Sequence, residues 1–528
     1  MKKTLLFTTI ISIFVTSLLI SFPSTNLYSQ NAEKAESQIS AELLKGYIDF
    51  LASDSLKGRL TPSKELDIAA DYIAAQFAKF RLKKINGSYF QTVPFYSPNL
   101  DVQNSHLKIT GSQGEKEYII KNDFIPFEMT ADGTADAKIV FAGYGITAPE
   151  YNYDDYEGVD VKGKIVLILK HEPGENDSTS MFSGKKETEY SLLKTKLANA
   201  KQHGAAGLLV VTDPGNHMML KPQGFPWPAL SKAANNVNLP ISLNLRDGSE
   251  IPVAQIGDAI IKQLFGSVDS LRNIQNSIDK ATKPNSFPLP RFNCELSTRL
   301  ILKHYYPKNV VGYIKGADKK LAEELVIIGA HYDHIGFEKQ HKADEDYIYN
   351  GADDNASGTA GVMAIAKAFS SMKQRPERSI LFILFAGEES GLCGSEFYCE
   401  HPLFPLDKTV AMLNLDMIAR NGDGTLQVEG KKLNPDLSAL IFKENEGIGL
   451  KNIPTDDELY AYSDNYRFYE KGISAISVTS GLHNDYHTVN DNPDRANFIK
   501  AAKISRLIFR AVWSISNDNK YFTILKNK

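Results

Sequence analysis

The second half of the sequence predicts an α/β fold, a mostly parallel central sheet flanked by helices, with a β-rich segment inserted ahead of it. Three observations carry this. The run Leu325 to Ala330 is apolar without alternation, which suits a strand covered on both faces. Strand-like and helix-like stretches alternate from Cys294 to the end. Several of these strands run directly into acid or histidine, and ligands gather at the carboxyl ends of parallel strands.

Composition narrows the class. The chain has 528 residues, enough for two to four domains. At 42% hydrophobic and 23% charged it has the make-up of a globular protein. A net charge of −4 gives no basic surface for nucleic acid. Three cysteines (Cys294, Cys393, Cys399) cannot form a closed disulfide framework and read as buried small hydrophobes.

Taken in order, Lys2 and Lys3 precede an apolar run from Thr4 to Phe22 and a polar exit. This reads as an export signal over residues 1–30, so a periplasmic or secreted protein with no stable membrane insertion after cleavage is expected. An uncleaved N-terminal anchor is the alternative. Leu44, Tyr47, Ile48 and Leu51 mark one amphipathic helix; Leu66, Ala69, Ile73, Phe77 and Phe80 mark a second, started by Thr61-Pro62-Ser63. Short β-rich runs follow from Gln91. Residues 115–285 then form the β-rich insert, with AKIVFAGYG, GKIVLILK and a strand-helix-strand unit ending in HGAAGLLVV. His171, His203 and His217 read there as surface or loop histidines. The proline-rich Lys283–Arg291 reads as a return linker. LILKHYY and NVVGYIKG are expected to pair as a hairpin. The helix after Asn355 carries Val362, Ile365, Ala366 and Phe369 at i, i+3, i+4, i+7, and the last helix carries Ile504, Leu507, Ile508 and Ala511 likewise.

The chemistry lies at strand ends. VIIGAHYDHIG delivers His331 and Asp333, NGADDNASG delivers Asp353 and Asp354, SILFILFAG runs into Glu388-Glu389, TVAMLNLDM ends at Asp416, and ISAISVTSG leads to His483 and His487. A buried strand ending in Glu-Glu is costly unless a cation offsets the repulsion. The set His331, Asp353, Glu389, Asp416 and His487 offers nitrogen and oxygen ligands only. Two metals sharing a carboxylate at roughly 3.5–4 Å separation suit hydrolysis of an acyl bond. Zinc fits imidazole plus carboxylate, and manganese or cobalt are compatible. Water between two such cations ionises near neutral pH, with Glu388 as the general base. Asp333 is placed to orient the His331 ring. His334, His341, His401 and His483 read as bystanders, because five ligands already close two sites. Arg420 and Arg467 read as substrate-carboxylate binders or surface ion pairs.

The ordered set HYDHIG, NGADDNASG, FAGEESGLCGS, NLDMIAR and DYHTVND resembles the motifs of the co-catalytic zinc aminopeptidases with a bacterial leucyl-aminopeptidase-type catalytic domain. GYG, GKIVLI and HGAAGLLVV resemble the protease-associated (PA) domain. The resemblance implies residues 31–114 and 286–528 as the catalytic domain and 115–285 as the PA insert. It implies two zinc ions per chain, one on His331, Asp353 and Asp416 and the other on Asp353, Glu389 and His487. It further implies Glu388 as base, Tyr486 as a donor to the tetrahedral oxyanion, and a cis peptide between Asp353 and Asp354. Asn465 departs from the family's Ser-Asp-His pattern, which bears on the substrate pocket. The expected function is an exported di-zinc aminopeptidase acting on peptides. The alternatives are a glutamate-carboxypeptidase-like enzyme or dipeptidase, a single-zinc glutaminyl-cyclase-like acyltransferase, and an inactive binding protein.

Overall fold

A computed structural model describes residues 24–525, except 183, 219, 223–226, 231–241, 244–249, 340, 456 and 458. The expected signal lies outside the described residues up to residue 23; Ser24–Glu36 is helical. Among the described residues no helix is long and apolar enough to cross a membrane.

Two eight-stranded sheets organise the chain. In the first, Ser379–Phe385, Leu325–His331, Thr409–Leu415 and Ala475–Thr479 lie side by side and parallel. Antiparallel neighbours flank them: Lys308–Ile314 on one side and Thr425–Glu429 on the other. Alternate side chains of each central strand enter different cores. Val326, Ile328 and Ala330 face the layer holding helices Ala41–Leu51, Gly358–Ser371 and Phe498–Ser516. Leu325 and Ile327 face the layer holding Cys393–Glu400 and Asn465–Glu470. Both faces are dry, which is why these strands carry no polar alternation. The helix with Val362, Ile365, Ala366 and Phe369 is buried almost throughout, between the sheet and the C-terminal helix.

The second sheet mixes antiparallel and parallel pairs and draws its strands from His106 to Thr298. Within it, Ile165–Leu169, helix Leu193–Gln202 and Gly207–Val211 form the parallel strand-helix-strand unit read from the sequence. The stretch read as a linker is instead the start of a long strand, Ser286–Thr298, paired with Gly133–Ala142. Its prolines are tolerated because the second neighbour, His106–Gly111, pairs only from Asn293 onward, past a register shift between Leu289 and Asn293. The expected hairpin is also absent. Leu300–Tyr305 pairs with Phe95–Leu100 in a separate three-stranded sheet, while Lys308–Ile314 joins the first sheet. Pro307 falls between them, where a tight hairpin would need a left-handed residue.

Candidate metal centre

The four parallel strands bring their carboxyl ends to one edge. His331 is the last residue of its strand, Asp416 directly follows Leu415, Glu388 and Glu389 follow Phe385 by a short turn, and His487 lies in the loop after Thr479. Buried backbone held in ladders fixes where each side chain starts, so the loops need only aim them.

Two clusters result. His331 Nε2 lies 3.3 Å from Asp354 Oδ1 and 3.5 Å from Asp416 Oδ1. His487 Nε2 lies 3.1 Å from Asp354 Oδ2 and 3.2 Å from Glu389 Oε2, while His334 Nδ1 lies 2.8 Å from Glu389 Oε1. The shared carboxylate is therefore Asp354, with one oxygen in each cluster. Asp353, expected in that role, is turned away. Its Oδ1 accepts from Ala419 N–H at 2.6 Å and Ser357 Oγ–H at 3.1 Å, and its Oδ2 sits 3.3 Å from His483 Nε2. The physical reason is local: the backbone kinks at Asp354 and Asn355, so consecutive side chains leave in different directions. The cis peptide likewise lies one residue on, between Asp354 and Asn355. His334, read as a bystander, belongs to the second cluster and is fully buried.

Other expected residues fall near the clusters. Asp333 Oδ1 is 3.5 Å from His331 Nδ1, and its Oδ2 accepts from Thr61 Oγ–H at 2.9 Å. The two adjacent glutamates diverge. Glu389 meets His334 and His487, whereas Glu388 lines a cleft with His331, Asp354, Asp416, Glu429 and Tyr486. Tyr486 stacks on His487 with ring centroids 3.8 Å apart. Asn465 is buried and donates to Tyr460 O. Arg420 is engaged by Asp485 and Asp491, and Arg467 by Glu396 and Glu470.

Supporting residues come from elsewhere in the chain. Asp491 accepts from the N–H groups of both Asp353 and Asp354 at 3.0 Å, fixing the kink. The buried Arg59 guanidinium donates to the carbonyls of Leu51, Tyr332, Asn350 and Gly351, tying the His331 loop to the Asp354 loop. Burial lowers its pKa to about 10. Gly351 has φ +59°, and a Cβ there would stand 2.6 Å from the His334 ring and 2.2 Å from Asp354 O. Asp491 closes the DYHTVND motif, though nothing local gives its role; Arg59 carries no local signal, and only its partners, far off in sequence, reveal it.

The clusters fit cations. Asp416 Oδ1 is buried without a hydrogen bond, and His487 Nε2 approaches its carboxylates at angles that make none. Burial alone would keep His331 neutral, but Glu388 and Asp416 outweigh it and raise its pKa well above the usual imidazole range. Burial opposes the His487 charge too, yet Asp354 and Glu389 raise its pKa to about 10. Burial, with Glu389 and Asp416 adding to it against His331, raises Glu388 well above the carboxylate range. The acids thus collect protons that a metal must displace. Since these histidines are protonated at pH 7 in the metal-free protein, zinc loading there is expected to release protons, and affinity should climb as pH rises toward 10. Calorimetric titration in two buffers of different ionisation enthalpy measures this; heats independent of buffer would contradict it.

A parallel sheet covered on both faces, with two histidine–carboxylate clusters sharing one aspartate at its carboxyl edge, defines the class as a metal-dependent hydrolase. The comparisons give the family. Residues 309–512 match peptidase family M28 and residues 132–264 match the PA domain. Residues 309–512 thus carry an M28 peptidase domain, and the PA domain precedes it in the chain. Among characterised relatives, aminopeptidase NAALADL1 of Rattus norvegicus is 25% identical over 456 residues, covering 78% of this chain and 53% of the relative. Aminopeptidase YwaD of Bacillus subtilis (strain 168) is 24% identical over 399 residues, covering 72% of this chain and 70% of the relative. A glutamate carboxypeptidase 2 homolog of Caenorhabditis briggsae is 23% identical, covering 76% of this chain and 54% of the relative. The chain thus spans about half the length of the rat and nematode relatives. A solved aminopeptidase from Aneurinibacillus sp. strain AM-1 aligns over 94% of this chain and 98% of its own at 20% identity, with a TM-score of 0.48.

Proposed function

We propose that the protein is an exported aminopeptidase that removes N-terminal residues from peptides with two zinc ions. The observation that carries the substrate end is the charge of the cleft. Glu388, Asp416, Asp354 and Glu429 line it, and no lysine or arginine does among the described residues. Such a wall favours an α-ammonium group; a C-terminal carboxylate calls for an arginine fork. Arg420, Arg467 and Arg495 are each held by carboxylates of the protein itself. The relatives' names include both aminopeptidases and a glutamate carboxypeptidase, so the cleft supports one side of that division.

In this reading His331, Asp354 and Asp416 hold one cation, and Asp354, Glu389 and His487, with His334 beside them, hold the other. When bound, the pair would supply Lewis-acid chemistry for hydrolysis of an acyl bond. Glu388 takes the nucleophile's proton and returns it to the leaving amine. Asp333 keeps the His331 ring oriented through Nδ1. Tyr486 donates its hydroxyl to the oxygen that gains charge. The Lys2-Lys3 start and the apolar run after it support export.

A free α-amine is then required. Acetylation removes its charge and leaves cleft carboxylates unpaired, about 1–3 kcal/mol or roughly ten- to two-hundredfold in specificity. Rates on leucyl- and alanyl-anilides against their N-acetyl forms measure it. Equal rates, or cleavage only beside a C-terminal acidic residue, would move the assignment to a carboxypeptidase or dipeptidase.

A further inference from the structure

The second sheet repeats, at a smaller scale, the arrangement of the first. Its parallel strands Ile165–Leu169 and Gly207–Val211 are neighbours in register, with Leu169 opposite Val211. Two residues beyond each strand comes a turn of matching design: His171-Glu-Pro-Gly-Glu175 and Asp213-Pro-Gly-Asn-His217. Each offers one imidazole and one carboxylate four residues apart, in opposite order. Gly174, at φ +72°, lets the first turn fold back on itself. The result is that all four groups face one another, with a ligand atom from each within 4.8 Å of the rest.

We propose that His171, Glu175, Asp213 and His217 form a metal site in the PA domain, separate from the hydrolytic centre, that takes a zinc-type divalent cation. Two imidazoles and two carboxylates are a donor set for zinc or its neighbours, whereas calcium and magnesium take oxygen ligands throughout. Glu175 Oε2 lies 3.8 Å from His171 Nδ1 and 3.1 Å from His217 Nε2, so one oxygen serves both rings. Tetrahedral bonds of about 2.1 Å place donor atoms roughly 3.4 Å apart, close to these spacings. His171 Nδ1 is also hydrogen-bonded to Asp213, which is fully buried. The bland alternative is two ion pairs, His171 with Asp213 and His217 with Glu175. That arrangement stacks the two rings face to face, at 4.5 Å and 25°, so charging both would oppose like charges. A cation among neutral rings removes the repulsion and leaves both carboxylates neutralised. Lys196, also buried, offsets part of the local negative charge, but its ammonium is aimed at the backbone oxygens of Tyr144, Leu169 and His171.

Four protein ligands leave no open position, so this is a staple, not a reaction site. It ties the start of the long excursion between residues 170 and 192 to the loop after the next strand, where Glu172 and Thr188 also close the excursion on itself. The peptidase reaction does not need it.

The test uses the whole chain, stripped with chelator, reloaded with Zn2+ or Co2+ and dialysed, followed by metal analysis. The double variant Glu175→Gln, His217→Gln changes two of the three half-buried members and leaves His171 and the buried Asp213 in place. It is expected to hold one cation fewer per chain than the natural sequence, with unchanged turnover of an aminoacyl-anilide. In an Asp354→Asn background, where the hydrolytic centre is disabled, one cation should remain and should vanish when the double variant is added. The Co2+ form of the Asp354→Asn protein should show the visible absorption of a tetrahedral site, and addition of zinc should raise its melting temperature. Equal metal content with and without the double substitution, or a silent Co2+ spectrum in the Asp354→Asn protein, would overturn the site whatever the hydrolytic centre proves to do.

Discussion

Replacing Glu388 with glutamine is expected to lower turnover by about 10²- to 10⁴-fold while leaving metal content unchanged, the range for loss of a positioned general base. The two neighbouring glutamates make the expectation sharp. Glu389 is held by His334 and His487, and removing it would open a cluster. Glu388 instead points into the cleft, 3.9 Å from His331 Nε2, with its backbone N–H held by Asp333 Oδ1 at 3.3 Å. Glutamine keeps the shape and the backbone anchor but cannot accept a proton. At about 1.4 kcal/mol per tenfold, the expected loss is roughly 3–6 kcal/mol of transition-state stabilisation. Metal analysis beside a turnover assay decides it. A variant with both metals lost would make Glu388 a ligand, and one with natural turnover would leave the proton transfer to another group.

Which parts are legible in the sequence follows from what fixes them. The strands of the first sheet can be read because burial on both faces leaves unbroken apolar runs, and each run stops where charge begins. That places His331, Glu388, Glu389 and Asp416 at one edge without any knowledge of distance. Direction is not legible. Asp353 and Asp354 are chemically identical neighbours, and which one faces the histidines depends on a backbone kink held by Asp491, 137 residues away from Asp354. Counting ligands sets His334 aside, a rule that says nothing about a site with a surplus. Arg59 cannot be found, because its partners are carbonyls, which every residue has. The PA-domain histidines mislead for a related reason. Each has its acid four residues away on its own turn, but the acid of the other turn completes the cluster, and only the strand pairing brings the turns together. Pro288 and Pro290 mislead in the opposite sense: they suggest a linker where an unpaired strand side tolerates them.

The larger effect is expected at Asp354. Its two oxygens face different clusters, so Asp354→Asn removes the one charged group both share and should strip both cations and abolish turnover. Outer-shell changes typically weaken metal binding about 10–100-fold, and loss of a shared ligand should exceed that in each site. Asp353→Asn is the matched control. The asparagine oxygen can still accept from Ala419 N–H and Ser357 Oγ–H, so the loop carrying Asp416 stays in place. The lost charge lies beside His483, not between the clusters. That variant should keep its metals and most of its turnover, with any loss in the tens-of-fold range of a supporting residue. Metal content and anilide hydrolysis, measured on both variants after the same chelation and reloading, separate the two aspartates. If Asp353→Asn lost both cations and Asp354→Asn kept them, the shared ligand would be Asp353, and the kink would have to turn that side chain, not its neighbour's, toward the histidines.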